Sequence, residues 1–298
     1  MGNYFLWLAK LITFVIVVFF IIPALFVAAI ASGISTATSV KEIKSDKKSV
    51  AVVSLDGMIE DSKDILNALH KNIENEKVSG IVLRINSPGG AVGPSQDIYS
   101  AVKKLKEQKP IVVSMGNVAA SGGFYAALGA SKIYSQPGTI TGSIGVILQI
   151  PNFKGITEKV GFDMVTVKSG DLKDVGNVFR DMQPHEKDFL QNTVGVVHAD
   201  FVDAIVESRG IDKEKVKSFA DGRIIIGTQA KELNLVDEFG DVYEAARSVF
   251  DILGEPLKEG EYPRLIYTDQ RLESLRRFIE SVGKLPQLLT PSISFNYM

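Results

Sequence analysis

The sequence predicts an α/β fold with mostly parallel strands. Short runs rich in β-branched residues occur at 50–55, 80–86 and 110–115, and each has the length of a buried strand. Between these runs, apolar residues repeat at helical spacing over 61–75 and 95–107. Strands that alternate with amphipathic helices are typical of a parallel sheet covered by helices.

The rest of the chain continues this alternation with shorter elements. The patterns predict further strands at 132–136, 140–148 and 162–167. They predict helices at 120–130, 184–208 and 240–252, and two short helices with the sequences KEKVKSFA and GTQAKEL. Residues 284–298 mix Pro and Ser with scattered apolar residues, so we expect no regular structure there.

Composition excludes several classes of protein. The 298-residue chain carries 33 Lys and Arg against 35 Asp and Glu, a formal net charge of -2, which argues against a nucleic-acid binder. The chain has no Cys, which excludes a disulfide framework, a thiolate metal site and a Cys nucleophile. The glycine-rich NSPGG turn is not a phosphate-binding loop, because no GK[ST] follows it. We expect no metal and no cofactor.

Residues 11–31 are almost wholly apolar and predict a transmembrane anchor. A helix of this length spans about 31 Å, close to the hydrocarbon thickness of a bilayer. A cleaved signal peptide is the alternative, because Ala29-Ile30-Ala31 fits a small-x-small cleavage site. The apolar stretch is longer than that of most signal peptides, which favours the anchor. The lysines that follow are diluted by acidic residues, so charge does not settle the orientation.

The sequence accordingly divides into five parts. An N-terminal segment (1–10) precedes the anchor (11–31), and a linker rich in Ser, Thr, Ala and Gly (32–48) follows it. The working domain is expected at 49–253, and 254–298 form a C-terminal extension of uncertain structure.

Two glycine-bearing turns that follow strands are candidates for chemistry. The NSPGG turn, which contains Gly90, presents backbone N–H groups that either bind an anionic group or only close a tight turn. Ser121, in VAASGGFYAA, stands between a strand and a helix, where the next N–H favours a developing oxyanion. The alternative role for Ser121 is an ordinary helix N-cap.

A serine nucleophile needs a base, and none of the three histidines has a helpful context. His70 lies on the polar side of a helix, His185 at a helix start and His198 inside a long helix. A lysine can serve instead if burial or a second cation favours its neutral form. Lys173, in the loop KSGDLKD, and Lys168 are the two candidates, and a solvated surface role remains open for both.

Five sequence blocks occur in the order and spacing of a known family. They are INSPGGAV, MGNVAASGGFYAALGA, TITGSIGVI, KSGDLKD with Arg180 after it, and DGRIIIGTQAKELNLVDEFG. Behind an N-terminal anchor, they resemble the short, membrane-anchored form of bacterial signal peptide peptidase A over residues 50–250. The resemblance implies the Clp protease/crotonase-like superhelix of repeated β-β-α units.

The resemblance also assigns roles to five residues. Ser121 would be the nucleophile and Lys173 the general base, which the uncharged surroundings of the ASGG block would desolvate. Backbone N–H groups of Gly90 and Gly122 would form the oxyanion hole. Ser143 would hydrogen-bond the lysine and orient it.

The implied activity is that of a serine endopeptidase that degrades remnant signal peptides after secretion. The implied partners are apolar peptides, membrane lipid and further copies of the chain, in a ring or dome whose neighbouring protomers share active sites. The implied location is the bacterial cytoplasmic membrane, crossed once, with the catalytic domain on the extracytoplasmic side. The chain departs from the family at 175–178, where it reads VGNV and the family often has Ser or Pro.

Two other functions remain open. A crotonase-like acyl-thioester enzyme would use the same oxyanion turn, but the membrane anchor and the pairing of Ser121 with Lys173 count against it. A catalytically inactive membrane scaffold would bind partners without hydrolysis. The intact Ser121, Lys173 and glycines argue against that reading, because a degenerate site has usually lost one of them.

Overall fold

The computed structural model describes residues 6–7, 10–14, 17–21 and 49–268. They belong to two compact units, divided between Asp46 and Lys47. Within the predicted anchor the structure describes helical residues at 11–14 and a π-helix at Val17–Ile21. The remainder of the anchor, Ala31, the linker up to residue 48 and the tail at 284–298 lie outside the described residues. No described helix combines the length and the apolar character needed to cross a membrane.

The larger unit is built on an eight-stranded sheet. Its strands are β1 (Ser49–Asp56), β2 (Gly80–Ser87), β3 (Ile111–Ala119), β4 (Lys132–Ser135), β5 (Ile140–Gly142), β6 (Ile224–Ile226), β7 (Glu238–Phe239) and β8 (Arg264–Tyr267). Strands β8, β1, β2 and β3 lie side by side, β4 and β7 continue beside the first half of β3, and β5 and β6 branch from its end. Every pair is parallel except β5 with β6, so the predicted α/β fold is confirmed.

Helices cover both faces of this sheet. They are α1 (Lys63–Glu74), α2 (Val92–Leu105), α3 (Gly122–Ala127), α4 (Lys154–Val160), α5 (Pro184–Arg209), α6 (Lys213–Lys217), α7 (Gly227–Glu232) and α8 (Val242–Ile252). Helices α1, α2, α3 and α5 pack their apolar side chains into the larger core on one face, and α8 covers the other face. The apolar stripe predicted for α1 is confirmed, because Ile65, Leu69 and Ile73 are all buried.

The longest helix, α5, has sequence-encoded ends. Pro184 stands in its first turn, and Gln183 and Glu186 form a capping box around its free N–H groups. Gly210 ends it in the left-handed conformation that glycine adopts without strain. Phe201 and Ile205, in the C-terminal half of the helix, are buried in the larger core. The helix is thus anchored through its C-terminal half.

Two predicted strands differ from the structure, and four short elements, α4, β6, β7 and β8, were not predicted. The strand predicted at 162–167 is wrong: these residues belong to no strand, and the side chains of Val165 and Val167 are 86% and 95% exposed. The strand predicted at 140–148 ends at Gly142, because Gly142 and Ser143 both have positive φ angles. Strand β8 was not predicted, and its pairing with β1 places residues beyond 253 in the sheet.

Candidate active site

The two glycine-bearing turns lie at the same edge of the sheet. Strands β2 and β3 are parallel neighbours, and Ser87 at the end of β2 pairs with Ala119 at the end of β3. The N–H of Ala120 donates to the carbonyl of Ser87 over 3.0 Å, which fixes one turn against the other. The parallel pairing of the two strands therefore brings together segments that are about thirty residues apart in sequence.

Glycine is required because the two backbones approach each other closely. A Cβ atom added to Gly89, whose φ is +104°, would lie 2.7 Å from the nitrogen of Gly122. A Cβ added to Gly90 would lie 2.2 Å from the carbonyl oxygen of Ile59, which accepts from Ala91. Neither contact tolerates a side chain, since real Cβ atoms do not approach other atoms below about 3 Å.

Two backbone N–H groups meet where the turns touch. A Cβ added to Gly122 would lie 3.2 Å from the nitrogen of Gly90, so the two amides are neighbours. Within the described part of the chain, neither N–H donates a hydrogen bond. Gly122 also begins α3, where helix geometry leaves the first N–H groups without intrahelical acceptors. A pair of adjacent, unused N–H groups is the arrangement of an oxyanion hole.

Ser121 is held in a strained conformation beside these amides. Its φ of 50° and ψ of −121° are rare for a residue with a Cβ atom and indicate a local cost of about 1–3 kcal/mol. Its N–H donates to the carbonyl of Gly142 over 2.8 Å, and its carbonyl accepts from Tyr125 over 2.8 Å. Ser121 occupies the N-cap position of α3, but its hydroxyl makes no capping hydrogen bond to the helix.

Ser143 lies next to Ser121 through the backbone. It follows Gly142, whose carbonyl holds the N–H of Ser121, and it has a positive φ of 49°. The N–H of Ser143 donates to the carbonyl of Arg223 over 2.8 Å, which ties it to the segment before β6. The structure therefore brings four of the five predicted site residues together, namely Ser121, Gly90, Gly122 and Ser143.

A small pocket of about 100 Å³ opens beside Ser121. Helix α2 contributes Ser95 and Gln96 to its lining, and Tyr125, Val197 and Phe201 add apolar surface. The rings of Tyr125 and Phe201 pack 4.8 Å apart, centre to centre. Burial raises the pKa of the Tyr125 phenol, which stays neutral. The pocket therefore suits an uncharged side chain of modest size.

Lys173 lies elsewhere on the surface of the same chain. It sits on a one-turn 3₁₀-helix at Asp171–Asp174, is exposed, and does not line the pocket beside Ser121. The expected desolvation of Lys173 is therefore absent within one chain, since the loop lies apart from the ASGG block. Its ammonium has no hydrogen-bond or ion-pair partner in the region that the structure describes.

The competing base candidate, Lys168, is engaged in an ion pair. Its ammonium lies 2.6 Å from a carboxylate oxygen of Asp174 and donates to the carbonyl of Asp171 over 2.9 Å. The ammonium of Lys168 is therefore engaged by two acceptors at once. Of the two lysines, Lys173 is the one left free to act.

The histidines have no place at this pocket. His70 and His185 are exposed, and the ring of His198 hydrogen-bonds the carbonyl of Ala220 over 2.8 Å. None of the three lines the cavity beside Ser121.

Sequence reasoning missed residues that the fold adds to the site. Ser95 and Gln96 line the pocket from α2. The sequence could have indicated them only through the helical periodicity that sets which side chains of α2 face the NSPGG turn. Glu186, which is 1% exposed, binds Arg180 near the Lys173 loop. Its signal was the spacing of Gln183 and Glu186, which is that of a capping box.

A strained serine beside two unused backbone amides is typical of a serine hydrolase. Comparison with known families assigns the class more narrowly. The family model of peptidase family S49 matches residues 103–252, and that of Clp protease matches residues 37–139. The chain belongs to peptidase family S49 and is a serine peptidase.

Named relatives agree with this assignment. A putative protease of Synechocystis sp. is 42% identical over 70% of this chain and 76% of its own length. A putative signal peptide peptidase SppA of Enterococcus faecium is 36% identical over 72% of this chain and 66% of its own. A putative protease of Methanocaldococcus jannaschii is 34% identical over 63% and 61%. The chain thus spans less than two thirds of the length of the Enterococcus faecium and Methanocaldococcus jannaschii proteins. The predicted resemblance to signal peptide peptidase A is confirmed.

Crowding at Gly122 gives a first testable prediction. A Cβ at this position would lie 2.3 Å from the hydroxyl oxygen of Ser95, but 3.2 Å from the Cβ of Ser95. Gly122→Ala should lower the midpoint of thermal unfolding and abolish peptide hydrolysis. Adding Ser95→Ala removes the clashing oxygen and should recover at least about 1 kcal/mol of the lost stability. Purely additive effects in this double-mutant cycle would contradict the described packing.

Backbone strain at Ser121 gives a second prediction. Ser121→Gly and Ser121→Ala both lack the hydroxyl, but only glycine accepts the positive φ without strain. The glycine variant should therefore unfold at a higher temperature than the alanine variant, by about 1 kcal/mol. Ser100, in the interior of α2, is the matched control. At Ser100 the alanine variant should unfold at the higher temperature, because glycine is the weaker helix former. A higher unfolding temperature for the glycine variant at both positions would show that Ser121 is not strained.

Proposed function

We propose that the protein hydrolyses peptides with a dyad of Ser121 and Lys173 contributed by two different copies of the chain. The substrates are apolar peptides at a membrane, including remnant signal peptides. The observation that carries this proposal is the unpaired Ser121 hydroxyl beside the unused N–H groups of Gly90 and Gly122. The named relative from Enterococcus faecium supports the choice of signal peptides.

The proposed chemistry uses only side chains and backbone amides. The Ser121 oxygen attacks the peptide carbonyl while neutral Lys173 accepts the hydroxyl proton. The N–H groups of Gly90 and Gly122 stabilise the negative charge that develops on the carbonyl oxygen. Lys173 then gives the proton to the leaving amine, and water hydrolyses the acyl-enzyme. Ser143 follows Gly142, whose carbonyl accepts from the N–H of Ser121, and so lies beside Ser121. In this position it orients the Lys173 of the neighbouring copy.

Sharing between copies is supported by the position of Lys173. The loop that carries it is tied through Arg180 to Glu186, in the first turn of α5. Phe201 of the same helix lines the Ser121 pocket. The fifteen residue-to-residue steps from Glu186 to Phe201 along the helix correspond to about 22 Å. This rigid separation argues against a dyad within one chain.

Exposed apolar side chains around the lysine loop also support assembly. Ile156, Val160, Val165 and Val167 are between 61% and 95% exposed, and all lie in the segment before Lys173. Apolar residues clustered on a surface are typical of an interface with protein or membrane.

The same proposal includes the superhelix of β-β-α units, the single anchor at 11–31 and the ring or dome of protomers.

The sharing of sites predicts complementation between two inactive variants. In the full-length chain in detergent, Ser121→Ala and Lys173→Ala should each reduce cleavage of a fluorogenic apolar peptide by at least about 10³-fold. Co-assembled in equal amounts, they should recover about a quarter of wild-type activity, because that share of sites receives one intact serine and one intact lysine. Lys104→Ala, on the exposed face of α2, is the control and should remain fully active.

Each part of the proposal has a result that contradicts it. Residual activity in Lys173→Ala would show that Lys173 is not the base. Residual activity in Ser121→Ala would show that Ser121 is not the nucleophile. Mixed assemblies without activity would contradict sharing between copies. Turnover of acyl-thioesters in place of peptides would favour the crotonase-like alternative, and no turnover by assembled wild type would favour a scaffold.

A further inference from the structure

A charged cluster surrounds the base of the Lys173 loop. The guanidinium of Arg180 donates from Nε to Asp174 over 3.0 Å and from a terminal nitrogen to Glu186 over 2.8 Å. Its other terminal nitrogen donates to both the backbone carbonyl of Asp174 and the second oxygen of Glu186. Lys168 holds the remaining carboxylate oxygen of Asp174 over 2.6 Å. Two cations and two anions thus form one neutral network.

The network is fixed to the body of the protein through Glu186. This carboxylate is 1% exposed and accepts the N–H of Gln183 over 2.8 Å, so it belongs to the first turn of α5. The C-terminal half of α5 is buried in the core and reaches the Ser121 pocket at Phe201. Arg180 therefore connects the lysine loop to a helix that is itself rigidly held.

The loop has little else to define its conformation. Lys173 occupies a single 3₁₀ turn, and one turn of helix is not stable by itself. Within the described residues the loop belongs to no strand, and Lys173 is exposed. The next residue, Asp174, is the one that Arg180 and Lys168 hold from two sides. The position of the Lys173 backbone therefore depends on the hydrogen bonds that Arg180 and Lys168 donate to Asp174.

Both carboxylates of the network remain charged at the pH values where a peptidase with a lysine base works. The hydrogen bond from Lys168, followed by that from Arg180, lowers the pKa of Asp174 to about 2. The hydrogen bond from Arg180, followed by that from the Gln183 backbone, lowers the pKa of Glu186 to about 2. The network is thus a permanent attachment, not a switch.

We propose that Arg180 is a positioning residue: by joining Asp174 to Glu186 it fixes the turn that presents Lys173 to the Ser121 of a neighbouring copy. The geometry requires arginine, because a planar guanidinium serves two carboxylates and a backbone carbonyl at once, whereas a lysine ammonium cannot match that fork. This inference rests on the proposed role of Lys173 as the base.

The test compares Arg180→Ala and Arg180→Lys with wild type in the assembled, full-length protein. A catalytic group displaced by about 1 Å loses on the order of 100-fold in rate, so kcat of Arg180→Ala should fall by about that factor while KM changes little. Arg180→Lys should retain an intermediate kcat, since it keeps the charge but not the fork. Millimolar guanidinium should restore part of the activity of Arg180→Ala and leave wild type unchanged.

A matched control removes another cation from the same segment. Lys154 pairs with the side chain of Asp181 over 2.6 Å, whereas Arg180 donates only to the backbone carbonyl of Asp181, over 3.1 Å, a bond that Lys154→Ala leaves in place. Lys154→Ala should keep kcat within about twofold of wild type, as exposed ion pairs contribute little. An equal loss in Lys154→Ala and Arg180→Ala would overturn the proposal, because the effect would then come from any change of charge in this segment.

The remaining outcomes also decide the question. If Arg180→Ala does not assemble, Asp174→Asn replaces it: a kcat at least about tenfold lower in intact assemblies supports the proposal, and an unchanged kcat overturns it. A near-wild-type kcat in assembled Arg180→Ala overturns it directly, as does a loss that guanidinium cannot restore. Lys173→Ala is measured in parallel. Its retained activity would refute the proposed function, whereas its inactivity beside an active Arg180→Ala would refute only the role of Arg180.

Discussion

The part of the candidate site around Ser121 depends on the close approach of two backbone turns. The turn after β2 and the turn after β3 touch through Gly89, Gly90 and Gly122, where added side chains would collide with backbone or with Ser95. This contact places two amides side by side, leaves their N–H groups unused and holds Ser121 next to them. The parallel register of β2 and β3 makes the contact possible. Side chains of both strands and of helices α1, α2, α3 and α5 are buried together in the larger core on one face of the sheet.

The second dependence is on helix α5, which acts as a rigid spacer. Its buried half forms one wall of the pocket at Phe201, and its first turn holds the lysine loop through Glu186 and Arg180. One helix therefore contacts both halves of the proposed dyad, and its two points of contact, Glu186 and Phe201, lie about 22 Å apart along the helix axis. Under the proposed sharing of sites, activity would be conditional on assembly, because neither half would be complete in one chain.

Much of the fold could be predicted from sequence because its periodic patterns are strong. The β-branched runs of β1, β2 and β3 and the apolar stripe of α1 each have a buried environment that explains them. The alternation at 162–167 has the same appearance but lies on an exposed segment without a paired strand, and a sequence pattern does not specify a partner. Strand β8 is only four residues long, which is too short for a periodic pattern to identify it, although Gly260 and Pro263 precede it.

The site could be predicted in part for a similar reason. Ser121, Gly90 and Gly122 stand in motifs whose spacing is read directly from the chain, and the sheet brings them together. The distance of Lys173 from Ser121 could not be predicted, because it depends on the length and direction of α5. The network around Arg180 joins residues six positions apart, but its meaning depends on the burial of Glu186. Burial of one carboxylate is a property of tertiary packing.

The central claim is that a single chain holds Ser121 and its oxyanion hole but not its base. The most direct test is the rate at which a fluorophosphonate probe modifies Ser121 across a dilution series, with the oligomeric state measured at each concentration. The account predicts that the rate falls by about 10²-fold or more as assemblies dissociate, the typical contribution of a general base. It also predicts that Lys173→Ala reacts slowly at every concentration. A monomer that reacts as fast as the assembly would contradict the account.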